Sequence, residues 1–304
     1  MAVGDTITAA RNNIIRARIA GILGVGAGDE GYGQAVSSTS VAVGATVTAA
    51  QMSTLNDDMI KCRVHQTGSS PTEIVTPVTG NTIEDSNPTT KKGYVEFENL
   101  SLTCQTSRLN ASAGNLSLQS GTESIRSSSW SSDIDHIVTV TFGGYSVTNG
   151  DGSTVSVSSN DHMRVFFNAG GTILFSGTIG SGNTAINNDW RNLMTSVGTV
   201  AFGRSTTSNG STGTSYGYAN LPTSYVTIFN KTASAYSAND YLIEGHKVGN
   251  VLTFRITFNE DKGPNPNFDE AVTATTTSTI QMNRPSNTNA VNITAPTFQN
   301  TDGL

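Results

Sequence analysis

At 304 residues the chain is long enough for two or three domains, each with its own core. Charged residues make up only 13%, against roughly 25% in ordinary soluble domains, while Gly, Ser, Thr and Asn abound, as on a β-rich, hydroxyl-coated extracellular or virion surface. A formal charge of −6 with 17 Lys plus Arg and no basic stripe argues against nucleic acid as a partner. The longest apolar runs are too short to cross a bilayer, so no membrane is expected either.

Met1 is followed by "AVGDTITAARNN", with neither a basic n-region nor an apolar core, so no secretory leader is expected. Residues 5–23 place Ile15, Ile19 and Ile22 on one helical face, with Asp5 or Thr6 as the N-cap. Arg11 and Arg18 line a stripe beside that face and Arg16 points away, which reads as a solvated face. The turn-rich "GDEGYGQ" and an extended "VSSTSVAVGATV" lead to a second helix. There Thr48 and Gln51 form a capping box, Met52, Leu55, Met59 and Cys62 recur at helical spacing, and the helix ends before Gly68. Residues 1–68 are thus an N-terminal helical assembly module, and 69–92, rich in Pro and Thr, an arm or linker.

From there the signal turns to period two. "YVEFENLSLTC" and "HIVTVTFGGYSV" read as strands, and "NGDG" at 149–152 as a hairpin turn before "STVSVS". In 164–177, "RVFFNAGGTILFSG", the residues Asn168, Gly170 and Gly171 take positive φ cheaply, so the stretch reads as a hairpin turn between two strands rather than a phosphate-cradling loop. The phenylalanines of this stretch are expected to lie largely in the core, with Phe166 or Phe167 off the strict alternation and so a candidate for an interface. "NNDWRNLMTSVG" at 187–198 has Asn or Asp caps and Trp190, Leu193, Met194 and Val197 at helical spacing. Segment 204–217 reads as an exposed loop. In 251–258, Leu252, Phe254, Ile256 and Phe258 face one way and Thr253, Arg255 and Thr257 the other, a strand with one wet face. The Asn-, Thr- and Pro-rich tail from Arg284 is expected to order only against a neighbour. The fold class is therefore mainly β: antiparallel β-sandwich domains over 93–283, with up to two subdomains, a small N-terminal α-containing module and a tail at 284–304.

Motifs for chemistry are sparse. No G-x-S-x-G, H-E-x-x-H or Cys-x-x-Cys occurs. Asp133, Asp135 and His136 could meet Asn160, Asp161 and His162 around a metal, but turn-capping carboxylates and strand-starting histidines explain both clusters. Glu260, Asp261, Asp269 and Glu270 flank "KGPNPNF" without the spacing of a calcium loop, and read as solvated. No catalytic, cofactor-binding or metal-binding residue is assigned. Cys62 and Cys104 are read as free buried thiols. The dense tyrosines Tyr216, Tyr218, Tyr225, Tyr236 and Tyr241 form the candidate interaction surface, able to stack on sugars or on protein, with core or edge positions as the competing reading for half of them.

The ordered motifs "RVFFNAGGTILFSG", "NNDWRNL", "YVTIFNK", "YSANDYLIEG" and "LTFRITFNED", with "GYGQ" and "LNDDMIKCRVHQTG" near the N-terminus, resemble structural proteins of contractile-tailed phages of marine cyanobacteria. The resemblance covers residues 1–70 and 160–261. It implies a non-enzymatic component of the virion associated with tail, neck, baseplate or fibre, without a cofactor, whose partners are other virion proteins and further copies of itself. Alternatives are a tail fibre that binds a host-surface glycan and a capsid decoration protein. The resemblance supplies no site residues.

Overall fold

The computed structural model describes residues 8–81, 83–260 and 271–304. Its helices are α1 (Ala9–Leu23), α2 (Ala49–Thr67), α3 (Tyr94–Thr106), α4 (Ser159–Asn168) and α5 (Ala185–Val197). Its strands are β1 (Leu116–Arg126), β2 (Ile134–Thr141), β3 (Tyr145–Thr148), β4 (Thr154–Val157), β5 (Thr172–Ile179), β6 (Val200–Phe202), β7 (Thr207–Ser208), β8 (Gly213–Thr214), β9 (Val226–Thr232), β10 (Asp240–Val248), β11 (Val251–Asn259), β12 (Thr276–Pro285) and β13 (Thr297–Asp302). Strands outweigh helices and pair antiparallel, so the mainly β class with a small helical N-terminal module holds. No helix among the described residues is long and apolar enough to cross a membrane.

Two compact units interleave along the chain instead of following one another. Of the described residues, the first takes those within 8–117, 144–170 and 284–294; the second takes those within 118–143, 171–283 and 295–304. Residues 93–117 and 144–170, expected in the sandwich region, thus belong with the N-terminal helices.

The first unit is built on α1, α2 and α3 with α4 and the β3–β4 hairpin, whose turn is the expected one at 149–152. Thr48 and Gln51 close the capping box of α2, and Gly68, at φ 84°, ends it. The cap of α1 is Thr8, whose hydroxyl accepts from the Arg11 amide; Asp5 and Thr6 lie outside the described residues. The arginines of α1 are not a solvated face. Arg11 grips Glu98 of α3 through Nε (2.6 Å) and Nη2 (2.9 Å) and reaches Asp85, while Arg18 donates to Ser101 Oγ (2.6 Å) and Arg16 to the Ser38 carbonyl (3.2 Å). The Arg11 guanidinium holds the Glu98 carboxyl below the usual range. Residues 69–92 carry no helix or strand among those described, and fold back through a Val75 amide to Lys91 carbonyl bond (2.9 Å).

Two stretches expected as strands are helices. "YVEFENLSLTC" is α3, because Tyr94, Phe97, Leu100, Ser101 and Cys104 all bury at helical spacing. A strand would have put Glu96 and Glu98 on the face of Tyr94. Cys104 therefore lies on a helix, and both cysteines are free and buried. "RVFFN" closes α4, capped by Ser158, which accepts from the Asp161 amide. Phe166 and Phe167 both bury there, which adjacent residues of one strand cannot do on one face. Asn168, Gly170 and Gly171 are accordingly not a hairpin turn; they join a helix to β5. Gly170 still needs its positive φ, 82°, and a Cβ on it would come within 2.5 Å of Ala111 Cβ.

The second unit is a sandwich of two antiparallel sheets, ordered β1-β12-β5-β6-β7-β8 and β13-β2-β11-β10-β9. Alternation along β11 turns Leu252, Phe254, Ile256 and Phe258 inward, each fully buried, while Thr253 and Arg255 stay partly wet and Thr257 closes against Asp135 (2.5 Å). Phe254 meets Phe175 and Phe202 from the facing sheet at 4.9 and 5.1 Å between ring centroids. Helix α5, capped by Thr184 and not by Asn or Asp, wedges Trp190 against Trp130 and Phe258. Gly177 admits it, since a Cβ there would lie 2.7 Å from Met194 Sδ. The tail does not wait for a neighbour: it returns as β13 and pairs with β2.

Candidate functional site

The tyrosine-rich third of the chain does not form one surface. Tyr236 and Tyr241 are core residues, 6% and 0% exposed, and burial raises the Tyr241 phenol well above its ordinary value. Tyr216 is half-buried, its carbonyl accepting from Thr207 Oγ1 (2.8 Å). Tyr218 receives Lys247 Nζ over its ring at 4.4 Å, and Nζ also donates to the Tyr218 carbonyl (2.9 Å). Burial lowers the Lys247 ammonium.

Tyr225, at 37%, is the exposed member. Its ring packs edgewise on His246 at 4.5 Å and under the Arg255 guanidinium at 4.9 Å. Arg255 is itself pinned through Nε to Glu244 (2.8 Å), its directly opposite neighbour in the β10–β11 ladder. Alternation puts Glu244 and His246 on one face of β10 and Lys247 on the other, so the Tyr225 and Tyr218 groups lie on opposite faces of that strand. The Tyr225 face could stack on a flat apolar partner such as a sugar ring, whereas its cation is already engaged.

The two acid–histidine clusters fall in different units, and each is absorbed locally. Adjacent positions on β2 turn Asp135 outward to Thr257 and His136 inward. Asp133 accepts from the Glu260 amide (2.9 Å), and Asp161 pairs with Arg164 (2.8 Å) in the first turns of α4. His162 Nε2 lies 2.8 Å from the Thr294 carbonyl. Glu260 turns into the core, accepting from Trp190 Nε1 (3.2 Å) and Asn239 Nδ2 (2.8 Å); Asp261, Asp269 and Glu270 lie outside the described residues. Among the described residues no group of three or more His, Cys, Asp or Glu could hold a metal ion.

A chain of polar side chains runs through the sandwich instead. His136 Nδ1 is 2.9 Å from Ser278 Oγ on β12, and Nε2 is 2.9 Å from Asn300 Oδ1 on β13. Asn300 Oδ1 also accepts from Thr122 Oγ1 of β1 (2.7 Å), while Asn300 Nδ2 donates to the Glu123 carbonyl (2.9 Å). An amide oxygen can only accept, so His136 carries its proton on Nε2 and accepts at Nδ1 from the Ser278 hydroxyl. The distances are those of a hydroxyl nucleophile, a base and an orienting group. Ser278 and His136 are 1% and 0% exposed, however, so the hydroxyl meets the opposite sheet and not solvent. Burial lowers the His136 imidazole, which keeps it neutral. The group works as a brace joining β12, β2, β13 and β1. Its members are separated by 142 and 164 residues, and beyond His136 none carried a signal in the sequence.

No family model matches the chain, and no curated protein or solved structure matches it either.

Proposed function

We propose that the chain is a non-enzymatic structural component of a tailed-phage virion, associated with tail, neck, baseplate or fibre, that acts through contacts with further copies and with neighbouring virion proteins. The observation that carries this reading is the use of its reactive groups as internal ties. Ser278 and His136 are sealed between the sheets, with Asn300 holding the imidazole from the exposed strand β13, and Cys62 and Cys104 are fully buried, with the Cys104 thiol pushed up to about 12 by burial. Low charge, a hydroxyl-rich surface and the motif resemblance point the same way. Immunogold labelling of purified particles tests it: label at one fixed position on the tail, neck, baseplate or fibres supports the reading, and label on the head replaces it with the capsid decoration variant. A protein abundant in infected cells but absent from particles sinks it.

One observation favours a receptor-binding version, the half-open Tyr225 ring between His246 and Arg255. Binding on an array of host-surface glycans that is lost in Tyr225→Ala would support it, and an array without signal would remove it.

A further inference from the structure

Strand β1 is an edge with little of the usual protection: the C-terminal segment touches it at Gly121 to Ser124, through Phe298, Asn300 and a Leu304 amide to Ser124 Oγ bond (2.9 Å). It has eleven residues, none of them buried, and it ends the six-stranded sheet. The opposite edge of that sheet, β8, has only two residues. Natural edges are blunted by Lys, Pro, shortness or a covering segment, because unpaired N–H and C=O groups invite another strand. The sequence "LSLQSGTESIR" has no Lys or Pro and one charge of each sign. Among the described residues, its main chain receives one hydrogen bond from outside its own sheet, from Asn300 Nδ2 to the Glu123 carbonyl.

The pattern of exposure along β1 singles out what would pair with it. The exposed positions are 118, 120, 123 and 125, so the alternation changes phase across Gly121 and Thr122, as at a β-bulge. Leu118 and Ile125, 59% and 54% exposed, therefore lie on the same face although they are an odd number apart. Two copies of a strand related by a two-fold axis run antiparallel, and opposite residues must share a face. With the axis between Gly121 and Thr122 that condition holds along the strand. Leu118 opposes Ile125 of the second copy, Ser120 opposes Glu123, Gln119 opposes Ser124 and Ser117 opposes Arg126, exposed with exposed and half-buried with half-buried. The Leu118–Ile125 contact occurs twice, once on each side of the axis, and no like charges are placed opposite each other.

We infer that β1 is the strand through which two copies of this chain pair, joining their six-stranded sheets into one continuous sheet across a two-fold axis. This rests on the homo-oligomeric part of the proposed function and names its surface.

The test is sedimentation of the purified full-length chain over a wide concentration range, beside Leu118→Lys/Ile125→Lys. The wild type should show a monomer–dimer equilibrium. The two lysines, at exposed positions, should raise the dissociation constant at least about tenfold with an unchanged circular dichroism spectrum. A second variant fixes the register independently of that outcome. Leu118→Cys/Ile125→Cys should oxidise to a covalent dimer, whereas Leu118→Cys alone should not, because the two introduced thiols would sit about 23 Å apart at ~3.3 Å per residue. A monomer at every concentration, a lysine variant that dimerises as tightly as wild type, or equal crosslinking of the single and double cysteine variants would each overturn the pairing. A monomer that is nonetheless found in purified particles would overturn the β1 pairing and leave the virion reading standing. A dimer absent from particles would do the reverse.

Discussion

Replacing His136 by Ala removes the centre of the brace, and its cost can be built from the geometry. Two hydrogen bonds of 2.9 Å are lost, each worth about 1 kcal/mol net. Ser278 Oγ, 1% exposed, loses the acceptor that His136 Nδ1 provides, at about 1–3 kcal/mol. Removing a fully buried imidazole also leaves a void. The polar losses alone come to about 3–5 kcal/mol and the void adds to them, a large part of the roughly 5–15 kcal/mol that holds a typical domain together. Urea unfolding followed by the fluorescence of Trp130 and Trp190, both inside the same sandwich, reads it directly. A double-mutant cycle with Ser278→Ala separates the components, because removing the orphaned hydroxyl makes the loss of His136 cheaper by about 1–2 kcal/mol. A loss below about 1 kcal/mol, or strictly additive mutants, would mean that His136 is not the tie described.

Acid should weaken the fold. His65, fully buried with Nε2 3.1 Å from the Ala169 carbonyl, is lowered by burial to about 4, while an unfolded histidine titrates near 6.5. Above pH 6.5 both states are neutral and nothing is lost; as pH falls from 6.5 towards 4 the unfolded chain takes the proton first, and up to about 3 kcal/mol disappears, with His136 adding in the same direction. A urea midpoint that does not move between pH 7 and pH 4.5 would contradict this. Gly170→Ala should cost at least about 1–2 kcal/mol through its φ of 82° and the approach to Ala111, measured by thermal unfolding, and a neutral effect would refute the strained helix-to-strand joint. Thr48→Ala should lower stability by about 1 kcal/mol through loss of the α2 capping box, and an unchanged midpoint would show that the cap is dispensable.

What the sequence made legible was local. Helices α1, α2 and α5 follow from apolar spacing, α2 also from its Thr48–Gln51 capping box, and the inward row of β11 from strict alternation, whereas the Thr8 and Thr184 caps were not picked out. Helix α3 was obscured because "YVEFE" alternates over its first turn, although Tyr94, Phe97, Leu100 and Cys104 carry the longer helical period. In α4 the adjacent Phe166 and Phe167 were the sign that alternation had failed, and Ser158 with Asp161 the start signal. The brace and the interleaving of the units were not legible, since both depend on which distant strands become neighbours. The tyrosine cluster was half legible: residue type marks Tyr225 and Tyr241 alike, and only sheet pairing buries one and exposes the other.

Whether this chain is built into a virion, as proposed, is decided by quantitative mass spectrometry of gradient-purified particles, with the major capsid protein as internal standard. A structural component of the particle will show a fixed copy number that co-purifies with intact particles through successive gradients. A copy number that falls towards zero with each round of purification, while the capsid signal stays constant, would contradict it.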